Sequence, residues 1–162
     1  MTDLLPLLQA FHRDKLTELL RHQAGAKLVG QYDANNTYQY ILGREETQLS
    51  WLATAIVELG GTVVDEATEP TRAVSGKGTA ASQVIEAEDS RAAQAFVDAW
   101  RPRVDAMANA RHKGMLGVIL GETLEQKRFF DQALAGDTEL LGRRSDEVGA
   151  RIGTVLATRW IE

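Results

Sequence analysis

The chain has 162 residues, 44% of them hydrophobic and 25% charged, with a net charge of −5. Those values describe one ordinary globular domain, and the negative balance argues against a broad nucleic-acid surface. There are no cysteines, which excludes disulfides, thiolate metal sites, iron–sulfur clusters and thiol nucleophiles together and fits a reducing compartment.

No apolar run approaches the ~18 residues that a membrane span needs. Met1 to Phe11 carries Asp3 where a secretory leader would carry basic residues. A soluble cytoplasmic protein with no membrane and no nucleic-acid partner is expected. The Asn35-Asn36-Thr37 sequon is then a chance match.

The first segment, residues 3–30, is expected to be helical. Leu4, Leu8, Phe11, Leu19 and Val29 lie close to one face at 3.6-residue spacing. Gly30 to Asn36 is rich in turn formers and should break it. A second helix is expected over about 36–59, with Ile41, Leu42, Leu49, Leu52, Ile56 and Leu59 as its stripe. Gly60-Gly61 should end it. Residues 60–86 sustain no helical period. Such a long connection suits a crossover that runs the length of a helix bundle.

Helix is expected again from about Ala87, with Ala93, Phe96, Val97, Trp100, Val104 and Met107 inward and a kink or break at Pro102. After a turn near Arg111 to Gly114, a fourth helix should cover 114–135, with Gly136 closing it. Residues 1–136 thus form a four-helix bundle. Residues 137–162 are expected to add short helices packed on the same domain, one after Asp137 and one from about Ser145, with Trp160 turned back on the bundle.

Residues 41–52 (ILGREETQLSWL) and 119–130 (ILGETLEQKRFF) repeat at an offset of 78. Ile-Leu-Gly is identical in both, and Gln48 matches Gln126. Duplicated helix pairs joined by a crossover are one route to a four-helix bundle.

This arrangement resembles the ferritin-like and rubrerythrin-like superfamily over about residues 3–136. The resemblance implies a pair of iron or manganese ions held by a Glu from each of helices one and three and a Glu-x-x-His from each of helices two and four. Carried onto this chain, it puts Glu18 in helix one and Glu45 in helix two. Gln48 stands in the first histidine place. In helix four Gln126 takes the second histidine place and Thr123 the Glu place, with Glu122 one turn before Gln126 as a substitute. Helix three offers Asp98, off its apolar line. His22, one turn after Glu18, is either half of a metal site with Glu18 and Glu45 or a buried histidine bonded to a neighbour. His12 and His112 read as surface or turn residues.

The implied metal-ligand positions are degenerate, because glutamine is a neutral carbonyl donor where imidazole is required. The expected protein is a bundle without the standard di-metal centre and with no cofactor, acting through binding or assembly, with a homodimer as one form and the protein partner unknown. The alternative is a carboxylate-bridged di-iron or di-manganese oxidoreductase or ferroxidase with a variant ligand set. In the metal-free case Gln48 and Gln126 would bond each other across the bundle, and Lys15, Arg44 or Arg103 would neutralise the acids. Gly76-Lys77-Gly78-Thr79 lacks phosphate-loop spacing, and no nucleophile–base pair is placed. Arg101, Arg103, Arg111 and Lys113 make a solvated basic edge.

Overall fold

A computed structural model describes residues 4–64, 67–74, 76 and 78–136. The expected tail helices and Trp160 lie outside the described residues. Four helices and no strand occur among the described residues: α1 Leu4–Ala26, α2 Tyr32–Glu58, α3 Thr79–Asp105 and α4 Ala110–Leu134. None of them is long and apolar enough to cross a membrane.

α1 packs closely on α2, and α3 on α4. The pairs meet through side chains. Phe11 on α1 stacks edge-on against Phe96 and Trp100 on α3, while Arg21 further along α1 reaches Asp89 nearer the start of α3. α1 and α3 are therefore antiparallel neighbours. Tyr40 meets Phe129 and Arg44 meets Glu122, so α2 and α4 are antiparallel as well. With short turns inside each pair, α2 and α3 must run parallel, and the chain between them must travel the bundle's length. It does so alongside α1. The Gln9 amide donates to the Thr62 carbonyl near one end, and Lys27 pairs with Glu69 near the other.

Three boundaries differ from the sequence expectation. α1 stops at Ala26 and α2 begins at Tyr32, because Asn35 acts from inside α2. Its amide donates to the carbonyls of Ala26 and Val29, which the end of α1 leaves without helical partners. α3 begins at Thr79, eight residues before Ala87, because its first buried positions are Ala81, Ser82, Ile85 and Glu86 and carry little apolar signal. The helix also runs through Pro102 to Asp105 and stops one turn later, and α4 starts where Asn109 caps it by accepting from the His112 amide. The C-terminal glycines behave as expected. Gly60 and Gly136 both take positive φ, and the Gly60 and Gly61 amides close back on Val57 and Ile56.

The offset of 78 extends to all four helices as a pattern of burial. Ile41, Leu42, Gln48 and Leu52 are buried as are Ile119, Leu120, Gln126 and Phe130, while Gly43 and Gly121 are both exposed. In the other pair, Leu8, Phe11, Lys15, Glu18 and His22 are buried, and so are Glu86, Asp89, Ala93, Phe96 and Trp100. Arg44 and Glu122 occupy matching positions and bond to each other. Equivalent positions that meet are what a two-fold relation between helix pairs produces.

Two apolar clusters fill the bundle. One gathers Leu8, Phe11, Leu52, Ile56, Trp100 and Leu116 at the end where α1 begins. The other gathers Leu19, Tyr38, Ile41, Ile85, Phe129 and Phe130 at the opposite end. Between them lies a polar layer.

Candidate functional site

Lys15 belongs to the inward stripe of α1, one turn after Phe11 and one before Leu19. The helical period forces it inside, and its side chain is fully buried. The ammonium lies 3.2 Å from Glu45 Oε2 and 3.3 Å from Thr123 Oγ1. Thr123 gives its own proton to the Ile119 carbonyl, which leaves an oxygen lone pair for Lys15. The ring of Phe96 lies 5.1 Å from the ammonium on another side. Glu45 and Thr123 are matching positions of the repeat, so Lys15 bridges its two halves. The Glu45 contact is close enough for an ion pair, yet Oε2 receives no well-directed hydrogen bond. The attraction there is charge on charge.

The other oxygen of Glu45 lies 2.6 Å from His22 Nδ1. Burial alone would raise the Glu45 carboxyl, but His22 and Lys15 outweigh it and hold the group below the usual range. Burial would lower His22, and the Glu45 carboxylate outweighs that and raises it. His22 is thus the buried histidine bonded to a neighbour, one of the two readings its position allowed. Glu18, within one turn of both Lys15 and His22, is only 9% exposed and has no hydrogen bond or ion pair among the described residues. Burial pushes its carboxyl up.

Glu122 is drawn to the α2–α4 interface instead of the centre. Arg44 holds both its oxygens, at 2.9 and 3.0 Å, and Gln48 donates to it at 3.0 Å. The two glutamines therefore do not bond each other. Gln48 Oε1 and both amide atoms of Gln126 are buried without a hydrogen-bond partner. Of the three cations expected to neutralise the acids, Lys15 and Arg44 do so, whereas Arg103 stacks over Trp100. Asp98 is exposed and accepts from Gln94; the helix-three position that matches Glu18 is Phe96. His12 and His112 are buried, not surface residues, at 4% and 7% exposure. His112 is covered because α4 starts four residues earlier than expected and takes it into its first turn.

Sequence reasoning missed a second polar cluster, around Asp89. This fully buried carboxylate accepts from Tyr38 Oη at 2.6 Å, from Arg21 Nε at 3.3 Å and from Arg72 Nη1 at 3.1 Å. Arg72 comes from the crossover and also donates to the Arg21 carbonyl. Asp89 falls on the line of Ile85, Ala93 and Phe96, and that spacing was the available signal.

Glu86 lies one turn before Asp89 and is 4% exposed, with no hydrogen bond or ion pair among the described residues. Burial, aided by the Asp89 charge, pushes its carboxyl up to about 7. The folded state then binds more protons than the unfolded chain between about pH 4.5 and 7, so stability falls as pH rises through that window. The effect is at most about 3 kcal/mol. His22, raised in the folded state, acts with the same sign at higher pH. Glu45, lowered, acts oppositely, and its contribution is lost as pH falls through its folded value. The melting temperature is expected to peak on the acid side of neutrality. Glu86→Leu, which installs the residue of the matching position Leu8, should raise the melting temperature at about pH 8 and flatten its pH profile. A profile unchanged by that substitution would place the proton linkage elsewhere.

The sequence-derived ligand set is thus only partly assembled. Glu18, Glu45 and His22 gather around Lys15, Gln48 and Gln126 border them, and Glu122 is held apart by Arg44. Among the described residues no group of three or more His, Asp or Glu side chains is arranged to hold a metal ion. Searches for similarity found no matching family model, no matching curated protein and no matching solved structure.

Proposed function

We propose that the chain is a divergent ferritin-like bundle in which a lysine ammonium has taken over the centre, and that it works through binding or assembly, not through metal redox chemistry. The observation that carries this reading is Lys15. Its ammonium sits between Glu45 and Thr123, the matching residues of helices two and four that the resemblance assigns to metal carboxylates. Two antiparallel helix pairs, a crossover running their length and the 78-residue repeat support the superfamily assignment.

The residues present do not fit a pair of iron or manganese ions. Phe96 and Thr123 stand where two carboxylates are needed, and Gln48 and Gln126 stand where two imidazoles are needed. A divalent ion about 4 Å from the ammonium would meet a repulsion of roughly 8 kcal/mol at an effective dielectric near 20, twice that between unit charges.

The test is elemental analysis of protein purified from medium supplemented with iron and manganese, with melting curves recorded before and after metal addition. Substoichiometric metal and an unshifted melting temperature are expected. About two equivalents per chain, lost in Glu45→Gln, would overturn the reading in favour of a di-metal oxidoreductase or ferroxidase.

A further inference from the structure

Two of the four buried carboxylates among the described residues are matched. Glu45 has Lys15 and His22, and Asp89 has Arg21, Arg72 and Tyr38. Glu18 is different. Its side chain is nine-tenths buried and lacks an ion pair or hydrogen bond among the described residues, yet it opens onto a groove between α1 and α3 of about 350 Å³. Ala92, Ala95, Ala99, Phe96 and Trp100 line it from α3. Of the other polar groups there, the Trp100 indole and Asp14 bond each other at 2.9 Å, and the Thr17 hydroxyl donates to the Arg13 carbonyl. In this groove the Glu18 carboxylate is the acceptor left without a bonded partner, beside three alanines and two aromatic rings.

We infer that this groove binds a small organic ammonium ion, with the ammonium on Glu18 and its aliphatic stem along the alanines. A carboxylate taken this far out of water gains most from a charge that answers it directly. An alkyl stem adds apolar burial against methyl groups and ring edges. A compact ammonium suits a single carboxylate better than a guanidinium fork, which seeks two oxygens. Arg21 on the rim disfavours a second cationic group at that end, which selects a monoamine over a diamine. The inference deepens the binding role proposed above. It stands apart from the metal question, because the metal assay and the experiment below fail independently.

The experiment titrates the full chain with n-butylammonium and follows the indole N–H resonances of Trp100 and Trp51 by NMR. Trp100 lines the groove, whereas Trp51 lies under Arg44 on α2. A saturable shift of the Trp100 signal is expected, with a Kd on the order of a millimolar for so small a ligand, while Trp51 stays in place. Butyrate should not shift it, and 1,4-butanediammonium should bind more weakly. Glu18→Gln keeps the shape and removes the charge, and should weaken binding by about tenfold or more. Ala95→Leu fills the groove from α3 without touching the carboxylate and should abolish binding, which covers the case of a Glu18 variant that does not fold. Equal shifts with butyrate, a non-saturating response, or unaltered binding in either folded variant would overturn the inference.

Discussion

Lys15→Met is expected to destabilise the protein by about 3–5 kcal/mol, because it removes one of the two cations that compensate Glu45 in the centre of the bundle. Methionine fills much of the lysine's volume, so the loss reports charge and not cavity. His22 remains beside Glu45, 2.6 Å from the other oxygen, and sets the lower end of the range. The loss is large against the roughly 5–15 kcal/mol that holds a typical domain together. Adding Glu45→Gln to Lys15→Met should restore most of the stability, since the uncompensated charge is then gone and a neutral amide faces His22. Urea unfolding of the four corners of this cycle at about pH 6 measures both effects. Equal stability of Lys15→Met and the wild type would mean that solvent reaches Glu45, and the ammonium would then not be the centre's organising charge.

Gly25→Ala is the second substitution with a large expected effect, and its sign runs against helix propensity. Alanine in a helix interior is favoured over glycine by roughly 1 kcal/mol. At this position a Cβ would stand 2.6 Å from Arg72 Nη1 and 3.0 Å from Ile85 Cγ2. Arg72 is anchored at several points, on Asp89 at 2.9 Å, on Glu88 at 3.2 Å and on the Arg21 carbonyl at 3.0 Å, so it has little room to yield. Displacing it removes a cation from a fully buried carboxylate and detaches the crossover from α1 and α3. A net destabilisation of about 2–4 kcal/mol is expected from the lost buried pair. Trypsin cleavage at Arg72 should accelerate in the same variant. Gly25→Ala with wild-type stability and wild-type cleavage would show that the crossover is held by other contacts.

Each prediction turns on a buried charge whose inward position is legible from spacing. Lys15 falls on the line of Leu8, Phe11 and Leu19, and Asp89 on the line of Ile85 and Phe96. What spacing does not carry is the partner. Lys15 bonds Thr123 across 108 residues, and Tyr38 bonds Asp89 across 51. Glu122 shows the same limit from the other side. It lies one turn from Gln126, and its position alone suggested a ligand, yet Arg44 of the other helix pair takes it. A helical period states which face a residue shares, to within about a side chain's width. It does not state which helix faces it, at what height, or which way a long side chain leans.

By itself the sequence determined that the described residues form four long helices, that glycines at 60 and 136 end two of them, and that segments 78 residues apart repeat between the pairs. These are consequences of local backbone chemistry and of a period that each helix must satisfy alone. Only the tertiary structure decided that Lys15 sits between Glu45 and Thr123, that the glutamines do not bond each other, that Arg72 locks the crossover onto Asp89, and that Glu18 is left facing a groove. Those outcomes depend on how four helices are rotated and staggered against one another. That choice is made by the burial and pairing of charges far apart in the chain, for which a linear sequence holds the residues but not the distances.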